Sequence, residues 1–201
     1  MKFSGSDGTE VSFKSLGGKN FGIIHIATHG FFHDKESISK DQCTYLQEIY
    51  SNYDPEDKTL SQSGLFLSGS ADAYEGINIP NESEDGILTA QEISSLDFRT
   101  VDLVTISACD SGKGEISGDG VFGLQRGFKK AGAQSILMSL WKVDDEATCL
   151  LMTEFYKHWI GEGKTKHDAL ELAKQTVRSH KEKGWDNPEY WAAFILLDGL
   201  E

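Results

Sequence analysis

The chain has 201 residues, 38% apolar, 10% aromatic and 25% charged. That is enough to bury the core of one domain and too apolar for a disordered chain. Nineteen basic against 32 acidic side chains give a formal charge of −13, which argues against a surface that holds nucleic acid or an anionic membrane. No apolar run approaches the roughly 20 residues of a membrane helix, and the start MKFSGSDGTE lacks the apolar stretch of a signal peptide, so a cytoplasmic location is expected.

In chain order, FGIIHIAT at 21–28 reads as a buried strand ending at His29-Gly30. Residues 34–85 hold 12 acidic and 3 basic side chains, −9 of the total −13. Within them, 34–58 read as an acidic loop insertion with a short helix around Thr44–Tyr50, and Asn78–Asp85 as a second loop. Thr89 followed by Glu92 has the spacing of a capping box and predicts a short helix over 89–96. VDLVTISA at 101–108 predicts a second strand ending at Cys109, left through a glycine-rich loop.

Val121, Leu124, Phe128 and Ala131 predict a helix that Gly132 stops. SILMSLW at 135–141 is a third strand, and Asp144-Asp145 open a helix to Ile160. A second helix runs from Lys164 to about Lys183, and YWAAFILLD at 190–198 is a last strand. Strands alternating with helices predict an α/β sandwich with a mostly parallel sheet and helices on both faces.

Such a sheet places its reactive groups at the carboxyl ends of its strands. Two strands end in chemistry-bearing residues, His29-Gly30 and Cys109-Asp110. If those strands are parallel neighbours, the imidazole and the thiol meet as a Cys/His dyad. A thiol of pKa about 8.5 is mostly protonated at neutral pH, and a nearby imidazole takes its proton and returns it to the leaving amine. Gly30, lacking a Cβ, lets its N–H approach a substrate carbonyl; with the Cys109 N–H it forms an oxyanion hole, roughly 3 kcal/mol per donor.

Other motifs read structurally. His25, His29 and His33 have a helical metal-ligand spacing in a strand-then-turn context, so no metal is expected; His25 reads as a core residue and His33 as a loop residue. GEGKT at 161–165 lacks the first glycine of a phosphate loop and follows a helix, and no GxSxG elbow occurs. Cys43, Cys109 and Cys149 show no CxxC spacing, which indicates neither a disulfide framework nor a zinc site; Cys149 reads as core and Cys43 lies in the acidic insertion. Trp141, Tyr190, Trp191 and Phe194 read as packing residues that could also wall a groove.

The segments HIATHGFF, DGILTAQEIS, LVTISACDSGKG, GDGVFGLQRGFKKAGAQSILMSLWKVDDEAT and YWAAFILLDG occur in order and resemble the CHAT domain family, relatives of caspases and separases. The resemblance implies a caspase-like three-layer sandwich over 1–201, with catalytic His29 and Cys109 and an oxyanion hole from Gly30 and Cys109. LWKVDD at 140–145 is similar to the separase pattern in which a carboxylate receives a basic P1 residue, which points to Asp144 and Asp145, the latter the closer match. A structural reading of both as helix N-terminal carboxylates stands beside it.

The function implied is a cysteine endopeptidase that cuts a protein substrate, after a basic residue, in signalling, bacterial defence or cell death. The alternative is a catalytically weak protein-binding module of the same fold; an intact dyad favours the enzyme. No cofactor is implied. The partners implied are a protein substrate and a tetratricopeptide-repeat region for regulation, with no direct nucleic acid and no membrane. The acidic stretch could cover the groove or be processed. The family's usual first strand and helix have no counterpart here, which suggests a trimmed domain or a piece of a longer chain.

Overall fold

The computed structural model describes residues 1–32, 58–71, 84–107 and 118–198. In chain order they hold helix α1 (Glu10–Lys14), strands β1 (Ile23–Ile26) and β2 (His29–Phe32), helix α2 (Lys58–Ser61) and strands β3 (Ser63–Phe66) and β4 (Ile87–Thr89). Helix α3 (Ala90–Ser94), strand β5 (Leu103–Ile106), helix α4 (Gly118–Lys130), strand β6 (Ser135–Ser139), helices α5 (Asp145–Tyr156) and α6 (Lys166–Ser179) and strand β7 (Phe194–Asp198) follow.

Among the described residues the strands form two sheets. The larger has the order β1-β5-β6-β7, with β1 parallel to β5, β5 parallel to β6, and β7 antiparallel to β6. Strands β5 and β6 are buried at every position, which is why their sequences are near-continuous apolar runs. On one face Phe13 of α1, Ile93 of α3 and Phe128 of α4 join Val104, Ile106 and Ile136 in one core, and Phe13 meets the Phe98 and Phe128 rings edge-on at 6.0 and 6.4 Å. On the other, Leu151, Phe155, Ala173 and Val177 of α5 and α6 pack with Leu103, Leu137 and Phe194. The chain is an α/β sandwich with a mostly parallel sheet between helical layers, compatible with a caspase-like fold.

The smaller sheet, in the order β2-β3-β4, is antiparallel and was not anticipated. β3 lies inside the stretch whose charge marks it as polar. The expected first strand is accordingly divided: β1 ends at Ile26, and His29 opens β2 in the other sheet.

Local signals set most helix ends. Thr89 and Glu92 complete a reciprocal capping box, and Gly132, at φ +100°, stops the chain just after α4. The helix expected from 144 to 160 is α5 followed by a π-helical turn, Lys157–Gly161. The long helix expected after it ends at Ser179, with a 3-10 turn at Lys181–Lys183. Cys149 is exposed, not core, because the buried face of α5 is Ala147, Leu151, Met152 and Phe155. Residues 34–57 of the acidic stretch with its expected helix at 44–50, Cys43, His33, Asn78 and Cys109 lie outside the described residues.

Candidate active site

Because β1, β5 and β6 run parallel, their carboxyl ends share one edge of the sheet, and the candidate residues follow those ends. The register pairs Ile26 with Ile106, and just beyond it the Ser107 N–H donates to the Ile26 carbonyl at 3.0 Å. His29 stands three residues past Ile26, and Cys109 three past Ile106. Cys109 is outside the described residues, so the strand ends and the sequence offsets are what the geometry gives for the pair.

The backbone carrying His29 is held against β3. The Thr28 hydroxyl donates to the Phe66 carbonyl at 2.5 Å, and His29 pairs with Phe66 and Gly30 with Leu65 across β2 and β3. The His29 side chain is exposed while Gly30 is buried, so the imidazole is presented from a fixed strand. Phe31, buried in β2, adds a ring contact with Phe66 at 4.8 Å.

A buried ionic network anchors the far strand of this small sheet. Glu10, 2% exposed, accepts from the Gly86 N–H at 3.0 Å and pairs with Lys14. Lys14 also donates to Glu92 Oε1 at 2.8 Å, while Glu92 Oε2 accepts from the N–H and the hydroxyl of Thr89, each at 2.8 Å. Burial pushes the Glu10 carboxyl up to about 7, with Lys14 opposing and Glu92 and Asp85 adding to the rise. Burial would lower Lys14, but its hydrogen bonds to Glu10 and Glu92 hold it above its ordinary value. Gly86 is clamped between this network and the Ser68–Ser70 turn: its φ is +80°, and a Cβ there would lie 2.5 Å from the Ser70 nitrogen. Nothing in the sequence beyond the capping box at Thr89 and Glu92 hinted at this clamp.

Asp144 and Asp145 follow β6 at the same sheet edge as His29. The Asp144 carboxylate accepts from the Ala147 N–H at 2.9 Å and so caps α5, as the structural reading requires. Asp145 occupies the first turn of that helix, and both are exposed. Close by, Trp141 donates to the Glu189 carbonyl at 3.2 Å. The Glu189 carboxylate raises the Tyr190 phenol above its ordinary value, and Asp144 adds to it. Acidic and aromatic groups thus adjoin at this end of the sheet.

His25 was expected in the core. It instead lies on the exposed side of β1, where its Nδ1 and the Tyr156 hydroxyl share a hydrogen bond of 3.1 Å; that hydroxyl bonds in turn to Thr105 Oγ1 at 2.8 Å. Partial burial lowers the imidazole below its ordinary value. Among the described residues no helix is long and apolar enough to cross a membrane.

Comparison with known proteins places this arrangement. The family model for the CHAT domain matches residues 2–199. Tetratricopeptide repeat protein 28 of Homo sapiens is 30% identical over 135 residues, 61% of this chain and 5% of that protein. The Mus musculus protein of the same name is 34% identical over 112 residues, 55% of this chain and 4% of that protein. The chain therefore spans only a small part of the curated relatives it matches, while the family match covers nearly all of it: the chain belongs to the CHAT domain family.

Proposed function

We propose that residues 1–201 form a single peptidase domain, with an acidic insertion at about 34–58, that acts as a cysteine endopeptidase through His29 and Cys109. The observation that supports this reading is the register of β1 and β5, since the paired residues Ile26 and Ile106 end their strands at one sheet edge and His29 and Cys109 each stand three positions further on in sequence. His29 takes the Cys109 thiol proton, and the thiolate adds to the scissile carbonyl. The N–H groups of Gly30 and Cys109 receive the oxyanion. His29 then protonates the departing amine, and water hydrolyses the thioester with the imidazole again as base.

Asp144 and Asp145, beside Glu189 and Tyr190, would receive a basic P1 side chain, in keeping with the acidity of that sheet end. The substrate is a protein cut at specific sites in a cytoplasmic signalling, defence or cell-death role. The relatives named for tetratricopeptide repeats support regulation by a helical-repeat region. A panel of fluorogenic peptides varied at P1 tests the reading: cleavage after Arg or Lys, absent from Cys109→Ala, is expected, and preference for Ala or Met at P1 would overturn the assigned specificity.

A further inference from the structure

The run FGIIHIATHGFF at 21–32 holds a single hydroxyl, that of Thr28, and it lies where the chain leaves one sheet for the other. β1 ends at Ile26, the chain bends at Thr28, and His29 opens β2. Before the bend, the Ile26 carbonyl accepts from the Ser107 N–H at 3.0 Å and from the Ser107 hydroxyl at 3.3 Å. At the bend, the half-buried Thr28 donates its hydroxyl to the Phe66 carbonyl at 2.5 Å. The crossing is thus anchored to β5 on one side and to β3 on the other.

The acceptor is opposite the candidate base, because Phe66 is the register partner of His29. The Leu67 N–H donates to the Gly86 carbonyl at 2.7 Å, so Leu67 turns its main-chain groups toward β4. By the alternation of an antiparallel ladder, those of Phe66 face β2, and those of His29 face back toward Phe66. Gly30, the next residue, then turns its N–H away from β3, as an oxyanion donor must, since an amide used in the ladder has no proton to give. A slip of one residue would reverse both assignments, sending the imidazole to the other face of the sheet and the Gly30 N–H into the ladder. Threonine suits an anchor against such a slip, because its branched Cβ restricts χ1 and so fixes where the hydroxyl points.

We propose that Thr28 is a positioning residue for the peptidase reaction: its hydroxyl, closed on the Phe66 carbonyl, fixes the bend between the sheets and with it the register of His29 and Gly30. The proposal rests on the reading of His29 as the base. Thr28 touches no reacting atom; it acts through the strand that presents the imidazole and the Gly30 N–H.

The test compares Thr28→Val and Thr28→Ala, which lose the hydroxyl, with Thr28→Ser, which keeps it. One arm needs no activity: amide hydrogen exchange followed by NMR. Protection of the His29 amide should fall roughly tenfold or more in the Val and Ala variants and stay within about threefold of wild type in Thr28→Ser, with Leu137 in β6 unchanged throughout. The other arm measures cleavage of the best peptide from the P1 panel. Thr28→Val and Thr28→Ala should lower kcat roughly tenfold or more with little change in KM, and Thr28→Ser should restore kcat to within about threefold. Unchanged His29 protection in the Val and Ala variants, unchanged kcat despite lost protection, or a Ser variant that behaves like Val would each overturn the proposal. Protection lost in Val and Ala alone, in a wild type that cleaves no peptide, would uphold the anchor and overturn the peptidase reading instead.

Discussion

Ile26 and Ile106 are register partners in the parallel pair of β1 and β5, and the candidate base and nucleophile follow them at equal offsets in sequence. Ile26 and Ile106, 80 residues apart in sequence, are thereby brought to one edge by sheet pairing alone. The Ser107 N–H and hydroxyl both reach the Ile26 carbonyl, at 3.0 and 3.3 Å, which extends that coupling past the last strand residue.

His29→Ala should abolish turnover without unfolding the protein. The imidazole is exposed, and the strand is held by its pairing with Phe66 and by the Thr28 hydroxyl, none of which the substitution removes. Peptidase activity should fall by roughly 10³-fold or more, with thermal unfolding close to wild type. Full activity would mean that another base serves Cys109.

Asp144 can be tested for two roles separately. Asp144→Ala removes the cap on the Ala147 N–H and should cost about 1 kcal/mol in denaturant unfolding, whereas Asp144→Asn keeps an equally good cap and loses only the charge. If the carboxylates receive a basic P1 residue, Asp144→Asn and Asp145→Asn should lower kcat/KM for Arg substrates by roughly tenfold or more. Unchanged kinetics in both Asn variants would leave the pair with helix capping alone.

Gly86→Ala should be among the more destabilising single-methyl changes in the chain. The new Cβ would sit 2.5 Å from the Ser70 nitrogen and 2.9 Å from the Gly69 carbonyl carbon, at φ +80°. Left-handed strain and overpacking together predict roughly 2–4 kcal/mol. Gly163→Ala, at φ +68° with nothing within 4 Å of its Cβ, should cost only about 1 kcal/mol. Equal losses in urea unfolding would show that the turn before β4 is not clamped.

The Glu10 network predicts a pH dependence with a definite sign. The folded carboxyl titrates at about 7 against an ordinary 4.5, so between these values the folded state binds the proton more tightly than the unfolded chain. Its contribution to stability is complete below about 4.5 and is lost as pH rises through 7. Lys14, Glu92 and Asp85 are the charged groups facing it. Relative to Glu10→Gln, wild type should lose at most roughly 3 kcal/mol between pH 4.5 and 8. A stability difference that stays constant over that range would contradict the assignment.

The larger sheet was legible in the sequence because β5 and β6 are buried on both faces, and such strands can only be apolar throughout. Capping at Thr89 and the stop at Gly132 were legible for the same local reason, since each is fixed by residues within four positions. The smaller sheet was not. Its strands, HGFF, SGLF and ILT, are too short to show a period, and their pairing joins residues 21 to 37 positions apart. The Glu10–Lys14–Glu92 clamp was hidden too, because a buried charge looks like a surface charge until its partners are seen. For the candidate site, the residue types and the strand ends could be read directly. The division between β1 and β2 could not, because FGIIHIATHGFF runs through it without a break in hydrophobicity.

Active-site labelling tests the central claim most directly. The protein is treated with a cysteine-directed acyloxymethyl ketone bearing a basic P1 residue, and the modified residue is located by mass spectrometry. Labelling of Cys109 in wild type, strongly reduced in His29→Ala and absent from Cys109→Ala, with Cys43 and Cys149 unmodified, is the predicted result. Equal labelling of wild type and Cys109→Ala would contradict the account.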